Sequence, residues 1–306
     1  MITCHSLSKH YGSLKALDEL DLELIGNEPT GLVGANGAGK STLFALLCGF
    51  TRPTKGDIKI FGKSAHSENL KGRISILPQD INMFRSISVF HQLCHFARLQ
   101  GFSRASARTE TERVLSLINI MPLAIQYPET LSFGQRKKVM LAQALIGKPE
   151  LIMLDEPTSG LDPVAVNDIH LLLKQLAADH RLMISSHNLG EIEGICQQIV
   201  VLNRGKLVKT TSVGELKRVS QCFRIFLEQN APSNINDIFK QINNIERIEV
   251  DIKDSRKIQI FCKDSDANTI QIQLMNALHQ QQISIAEFSK GTALADEISE
   301  LLRNDN

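Results

Sequence analysis

"TGLVGANGAGKSTLFALLCGF", Thr30 to Phe50, is the stretch whose order of residues decides the fold. "TGLV" is apolar and short, as a buried strand is. A Gly-rich turn, "GANGAGK", follows, and "KSTLFALLCGF" then has the apolar content of a helix. Gly34 to Ser41 fits G-x-x-x-x-G-K-[ST]. The glycines let backbone N–H groups turn inward around phosphate oxygens. Lys40 reaches the β and γ phosphates, and the Ser41 hydroxyl takes a Mg²⁺ position. A Gly-rich turn that arose by chance need not follow a strand and open a helix. This one does both.

Further along, "LIMLDEP", Leu151 to Pro157, is an apolar strand ending in two carboxylates. Asp155 at the strand tip suits Mg²⁺, directly or through water. Glu156 is placed to orient or deprotonate an attacking water. Two acids after a strand are by themselves ordinary surface charge; the phosphate loop upstream gives them a task. "ELIMLDEP" and "RLMISSH" are apolar runs with polar ends, separated by helical stretches. Such runs predict a parallel sheet with ligands at the carboxyl ends of its strands. Residues of about 88–145 differ. "SVFHQLCHFARLQG" and "ARTETERVLSLINI" have apolar spacings of three and four with no strand between, which predicts a helical insert. Within it "LSFGQRKKVMLAQAL", Leu131 to Leu145, begins a helix with small or polar residues. A serine there is an N-cap, an anion ligand, or both.

After "VGELKRVS" the pattern changes. "QCFRIFLE" alternates, with Phe223, Ile225 and Leu227 on one face. A helix follows over "SNINDIFKQINN", with Ile235, Ile238, Phe239 and Ile242 inward. "IERIEVDIK" and "KIQIFCK" alternate again, "ANTIQIQLMNALHQQ" is helical, "ISIAEF" is a strand, and "ALADEISELLRN" closes as a helix. This β-α-β-β-α-β order resembles a ferredoxin-like module. The expected domains are residues 1–220, α/β, and 221–306, α+β.

The 306 residues suit two domains, and a hydrophobic content of 42% allows a core in each. A net charge of +1 gives no reason to expect nucleic acid as a partner. The six cysteines are scattered without a CxxC pair, so they read as buried free thiols in a reducing cytoplasm. The N-terminus lacks the apolar core of a signal peptide, and no run of about 18 apolar residues would span a bilayer. Any membrane part must come from another chain. His91 and His95 stand at i, i+4 with Cys94 between them, a hint of metal, but no third ligand follows at useful spacing.

Taken together, these motifs resemble the nucleotide-binding subunit of an ABC transporter over about residues 1–215. "LSFGQ" matches the family signature, usually Leu-Ser-Gly-Gly-Gln, and "SGLD", Ser159 to Asp162, matches the loop after the acids. Gln79 in "ISILPQD" matches the lone Gln after a strand, His187 in "MISSHNLGEIE" the switch histidine, and Tyr11 in "KHYGSLKAL" the aromatic that stacks on adenine. The resemblance implies a phosphate-loop cassette, with a RecA-like core, an antiparallel β subdomain and a helical subdomain. ATP would then contact Tyr11, Gly34, Ala35, Asn36, Gly37, Ala38, Gly39, Lys40, Ser41 and Thr42. Ser41, Gln79 and Asp155 would hold Mg²⁺. Lys40, Gln79, Glu156 and His187 would form the catalytic set.

The family pairs two cassettes head to tail around two ATP molecules. Ser132, Gly134 and Gln135 would therefore meet the γ-phosphate bound by the other chain, with Asp162 in the adjoining loop. One residue departs from the pattern. Phe133 stands where the family usually has Gly, so its side chain must point away from the nucleotide. The implied partners are a second cassette, as a homodimer, and a polytopic membrane permease. The implied location is the cytoplasm, peripheral on the cytoplasmic face of the inner membrane. Within the family the layout looks most like ATPases of ABC-2 multidrug or antibiotic export. The alternative is an ABC ATPase that moves no solute. Translation-factor relatives carry two cassettes per chain, and chromosome-maintenance relatives carry long heptads; this chain has one phosphate loop and no heptads. RNA binding by residues 221–306 is disfavoured too, because Phe223 alternates with core residues.

Overall fold

A computed structural model describes the chain except residues 80–82, 219–220, 241, 252–253, 263–266 and 293–306. The closing helix expected over 293–304 lies outside the described residues. The first elements are β1 (Ile2–Tyr11), β2 (Leu14–Leu24), β3 (Thr30–Val33), α1 (Lys40–Leu47), β4 (Lys55–Ile60), β5 (Lys63–Ser64) and β6 (Ile74–Leu77). Three helices follow, α2 (Val89–Leu99), α3 (Arg104–Leu117) and α4 (Phe133–Ala144). Then come β7 (Leu151–Asp155), α5 (Pro163–Leu176), β8 (Arg181–Ser186), α6 (Leu189–Glu193), β9 (Gln198–Asn203) and β10 (Lys206–Ser212). The remaining elements are α7 (Val213–Arg218), β11 (Gln221–Leu227), α8 (Ile235–Lys240), β12 (Ile245–Val250), β13 (Lys257–Cys262), α9 (Ala267–Gln280) and β14 (Ile285–Thr292). The chain forms two compact units that part between Thr210 and Thr211.

In the first unit a six-stranded sheet has the order β10-β9-β3-β8-β7-β6, and an antiparallel sheet has the order β2-β1-β4-β5. β3, β6, β7, β8 and β9 are parallel. The sequence explains the difference between the sheets. β3 and β7 are buried along their whole length, so both faces are covered and the runs are continuously apolar or small. β2 alternates at its end, with Leu20, Leu22 and Leu24 buried between exposed acids, as a sheet with one wet face requires. Helix α1 is buried on most sides through Leu43, Phe44, Leu46 and Leu47. Phe44 is fully buried, and truncating such a side chain to Ala costs about 3–5 kcal/mol.

The insert between β6 and β7 is helical because its apolar residues recur at three and four. Ser88 caps α2 by accepting from His91 N, and Val89, Leu93 and Ala97 face inward. Ser103 caps α3 in the same way through Ser106 N. Cys94 turns toward α3, where Thr111 Oγ1 donates to its sulfur at 3.4 Å, while His91 and His95 are exposed. Cys4 and Cys196 are buried, and burial pushes the thiols of Cys4, Cys48 and Cys196 up to about 12. They stay protonated near neutral pH and so are poor nucleophiles. Cys48 and Cys94 are only half-buried, which corrects the expectation of six buried thiols. Among the described residues no helix is long and apolar enough to cross a membrane.

The second unit has one antiparallel sheet of order β12-β13-β11-β14. Phe223, Ile225 and Leu227 of β11 meet Ile235 and Phe239 of α8 and Ile270, Leu274 and Leu278 of α9 in one core. The element order is the β-α-β-β-α-β order anticipated from the alternation.

Candidate functional site

The strand order places the motifs together. β8 lies between β3 and β7, and the parallel register aligns Val33 with Ser186 and Asp155 with Ser185. The three strands therefore end at one edge, where the glycine loop, the two acids and His187 follow them. Gly34 N donates to Ser186 O at 3.3 Å, tying the loop to β8. Gly39, the N-cap of α1, has φ +103°, and a Cβ there would lie 2.6 Å from Ala16 O. Only glycine fits that position. Asn36 and Gly37 are exposed at the loop crest, with Ser41 exposed on the first turn of α1 and Thr42 half-buried.

Lys40 is 5% exposed and points back into the loop. Its Nζ donates to Gly34 O at 2.8 Å and Ala35 O at 3.1 Å, and lies 3.4 Å from Glu156 Oε1. The other Glu156 oxygen is 3.4 Å from His187 Nδ1. Glu156 thus bridges the loop lysine and the histidine. It does so from a left-handed backbone, φ +46°, an unfavourable conformation costing roughly 1–3 kcal/mol for such a residue. The turn is held by Ser185 Oγ, which accepts from Glu156 N at 3.0 Å and donates to Asp155 Oδ1 at 2.5 Å. Glu191 braces the other side, accepting from Thr158 Oγ1 and Ser186 Oγ at 2.9 Å each.

The remaining predicted residues are carried by other segments of the chain. Tyr11 ends β1, about half exposed, with Lys9 Nζ 5.0 Å from its ring centroid. The Gln79 side chain is exposed; its backbone oxygen accepts from Lys137 Nζ of α4 at 3.2 Å. Ser132 caps α4 in a reciprocal box: its Oγ accepts from Gln135 N, and Gln135 Oε1 accepts from Ser132 N. Ser132 is nonetheless exposed, so the hydroxyl remains reachable. Gly134 packs against α5, where an added Cβ would lie 3.2 Å from Ala165 Cβ. Asp162 caps α5, accepting from Val164 N and Ala165 N. Sequence reasoning missed Ser185, Ser186, Glu191 and Lys137. The first three lie within "MISSHNLGEIE" beside His187, but their partners become visible only once β8 is seen to lie next to β7.

A parallel sheet with a glycine loop, a buried lysine and two acids at its carboxyl edge defines a phosphate-loop nucleotide hydrolase. The ABC transporter family matches residues 17–159 of the chain. The uncharacterised ABC transporter ATP-binding protein YhaQ of Bacillus subtilis (strain 168) is 34% identical over 223 residues, covering 71% of this chain and 73% of that one. The bacitracin transport ATP-binding protein BcrA of Bacillus licheniformis is 31% identical over 222 residues, covering 71% and 72%. The solved structure of cbiO1 from Clostridium perfringens, part of the ABC transporter complex cbiONQ, has a TM-score of 0.64 at 28% identity, covering 71% and 90%. The chain belongs to the ABC transporter family as an ATP-binding cassette, and its activity is ATP hydrolysis.

Proposed function

We propose that the chain powers solute export through a separate polytopic permease on the cytoplasmic face of a bacterial inner membrane. In this reading two cassettes pair head to tail and hydrolyse ATP at sites shared between them. The observation that carries the hydrolytic part is the Glu156 bridge, 3.4 Å from Lys40 on one side and 3.4 Å from His187 on the other. Lys40 offsets charge on the transferring phosphoryl group. Glu156 accepts a proton from water as it attacks, and His187 steadies both. The exposed Ser132 hydroxyl and the N-terminus of α4 add an anion-binding surface that serves the partner's nucleotide. Ser41, Gln79 and Asp155 would hold Mg²⁺; they are oxygen donors, which suit a hard cation. When bound, that ion supplies charge neutralisation at the phosphates.

Export is supported by the layout of "HYGSLKALDELDLEL" and "LLCGFTRPTKGDIKIFGK" and by the likeness to a bacitracin transport protein. The Lys137 bond to the Gln79 backbone supports a path from nucleotide to helical insert, because it joins the segment after β6 to α4. Isolation of the tagged chain from membranes tests the partner. A polytopic membrane protein at equal stoichiometry is the expected companion. Recovery with ribosomes or chromosome, and with no membrane protein, would favour the non-transport alternative.

Two further outcomes are expected. Tyr11 stacks on adenine from its exposed position at the end of β1. Tyr11→Phe then keeps ATP affinity, and Tyr11→Ala weakens it by about 1–3 kcal/mol. Equal affinities by titration calorimetry would remove Tyr11 from the site. A chain ending at residue 220 keeps β10 and α7 whole and should bind ATP like the full chain, because every predicted nucleotide contact lies before that point. A folded truncation without ATP affinity would give residues 221–306 a part in the site.

A further inference from the structure

The residue that departs from the family pattern occupies a definite place. Gly160 has φ +76°, and a Cβ built on it would lie 3.3 Å from Phe133 Cε1 and 3.6 Å from Cζ. The Phe133 ring thus covers the open face of Gly160, where the usual glycine at position 133 would leave a gap. The loop under the ring is tied to the catalytic turn. Ser159 N donates to Glu156 O at 3.2 Å, and Leu161 N donates to Thr158 O at 3.2 Å. Its far end is fixed by the Asp162 cap of α5, and α5 abuts α4 at Gly134. Phe133 stays about half exposed, with Arg136 and Lys137 5.8 and 5.9 Å from its ring.

We propose that Phe133 is a positioning residue that clamps the Ser159–Asp162 loop to the start of α4, so that Ser132 and Glu156 of one chain move as one body. The inference rests on the reading above, in which Ser132 serves the partner's nucleotide and Glu156 the chain's own. A rigid link between them couples the two sites. Glycine at 133 would leave backbone proximity alone to do this; the ring adds packing across the joint.

The test uses the full chain in three forms: wild type, Phe133→Gly and Phe133→Tyr. Hydrogen exchange reads the Ser159 and Leu161 amides, whose bonds the clamp protects. Phe133→Gly should raise their exchange rate by about fivefold or more, with Phe133→Tyr near wild type. In Mg·ATP turnover, Phe133→Gly should lower kcat by about fivefold while KM stays within about twofold, because the phosphate loop is untouched. Restoration by Phe133→Tyr would tie the effect to the ring. Equal exchange at both amides in all three forms would overturn the proposal. So would a raised KM with kcat intact, which would place the side chain against the nucleotide instead. A wild-type chain that hydrolyses no ATP, alone or with its membrane partner, would remove the functional reading, while the exchange comparison would still decide the clamp.

Discussion

Replacing Lys40 by Ala is expected to lower ATP turnover about 10²–10³-fold, the usual effect of removing one fixed charge from a developing oxyanion. The ammonium is 5% exposed and held by three oxygens, those of Gly34, Ala35 and the Glu156 carboxylate. Alanine removes the positive charge from the loop and leaves two carbonyls without that donor. It also leaves Glu156, itself only 7% exposed, without its lysine. Stability should fall as well, by about 1–3 kcal/mol, the scale for a buried charged hydrogen bond left unmade. Melting with and without ATP separates the two effects. A folded Lys40→Ala chain that turns over at the wild-type rate would show that the loop does not hold the reacting phosphates.

Glu156→Gln should bind ATP and lose turnover by about 10²–10⁴-fold, because the amide keeps the shape of the side chain but accepts no proton from water. In the proposed head-to-tail pairing of two copies, slow hydrolysis lets the closed, ATP-bound pair accumulate, so sedimentation should give monomer without nucleotide and dimer with it. Adding Ser132→Arg puts a bulky side chain on the exposed edge of α4 and should abolish the dimer while monomers still bind ATP. Ser132 also caps α4, and losing a cap costs about 1 kcal/mol. Ser132→Ala in the same background is the control: it loses the cap without adding bulk, so the dimer should weaken and persist. A stable ATP dimer carrying Ser132→Arg would move Ser132 away from the partner's nucleotide. A Glu156→Gln chain that stays monomeric would point to a different partner cassette or to a permease needed for pairing.

Much of this was legible in the chain itself, wherever neighbours in sequence are neighbours in space. The glycine loop reads directly because its strand, turn and helix are contiguous, and Lys40 reaches Gly34 O only six residues away. The adjacent acids read from the apolar run of β7 that carries them, and the Ser132 cap from Gln135 three residues on. The alternation of Phe223, Ile225 and Leu227 likewise announced which face of β11 is buried. Contacts across the sheet were another matter. Ser185 meets Asp155 from 30 residues away, and Glu191 meets Thr158 from 33, because β8 pairs with β7 in one particular register. A shift of one residue along either strand would turn the Ser185 hydroxyl to the opposite face. The left-handed turn at Glu156 and the Phe133 ring over Gly160 belong to the same class. A sequence states which side chains a segment offers. Which of them meet is decided by strand order and register, since those are settled by packing among segments far apart in the chain.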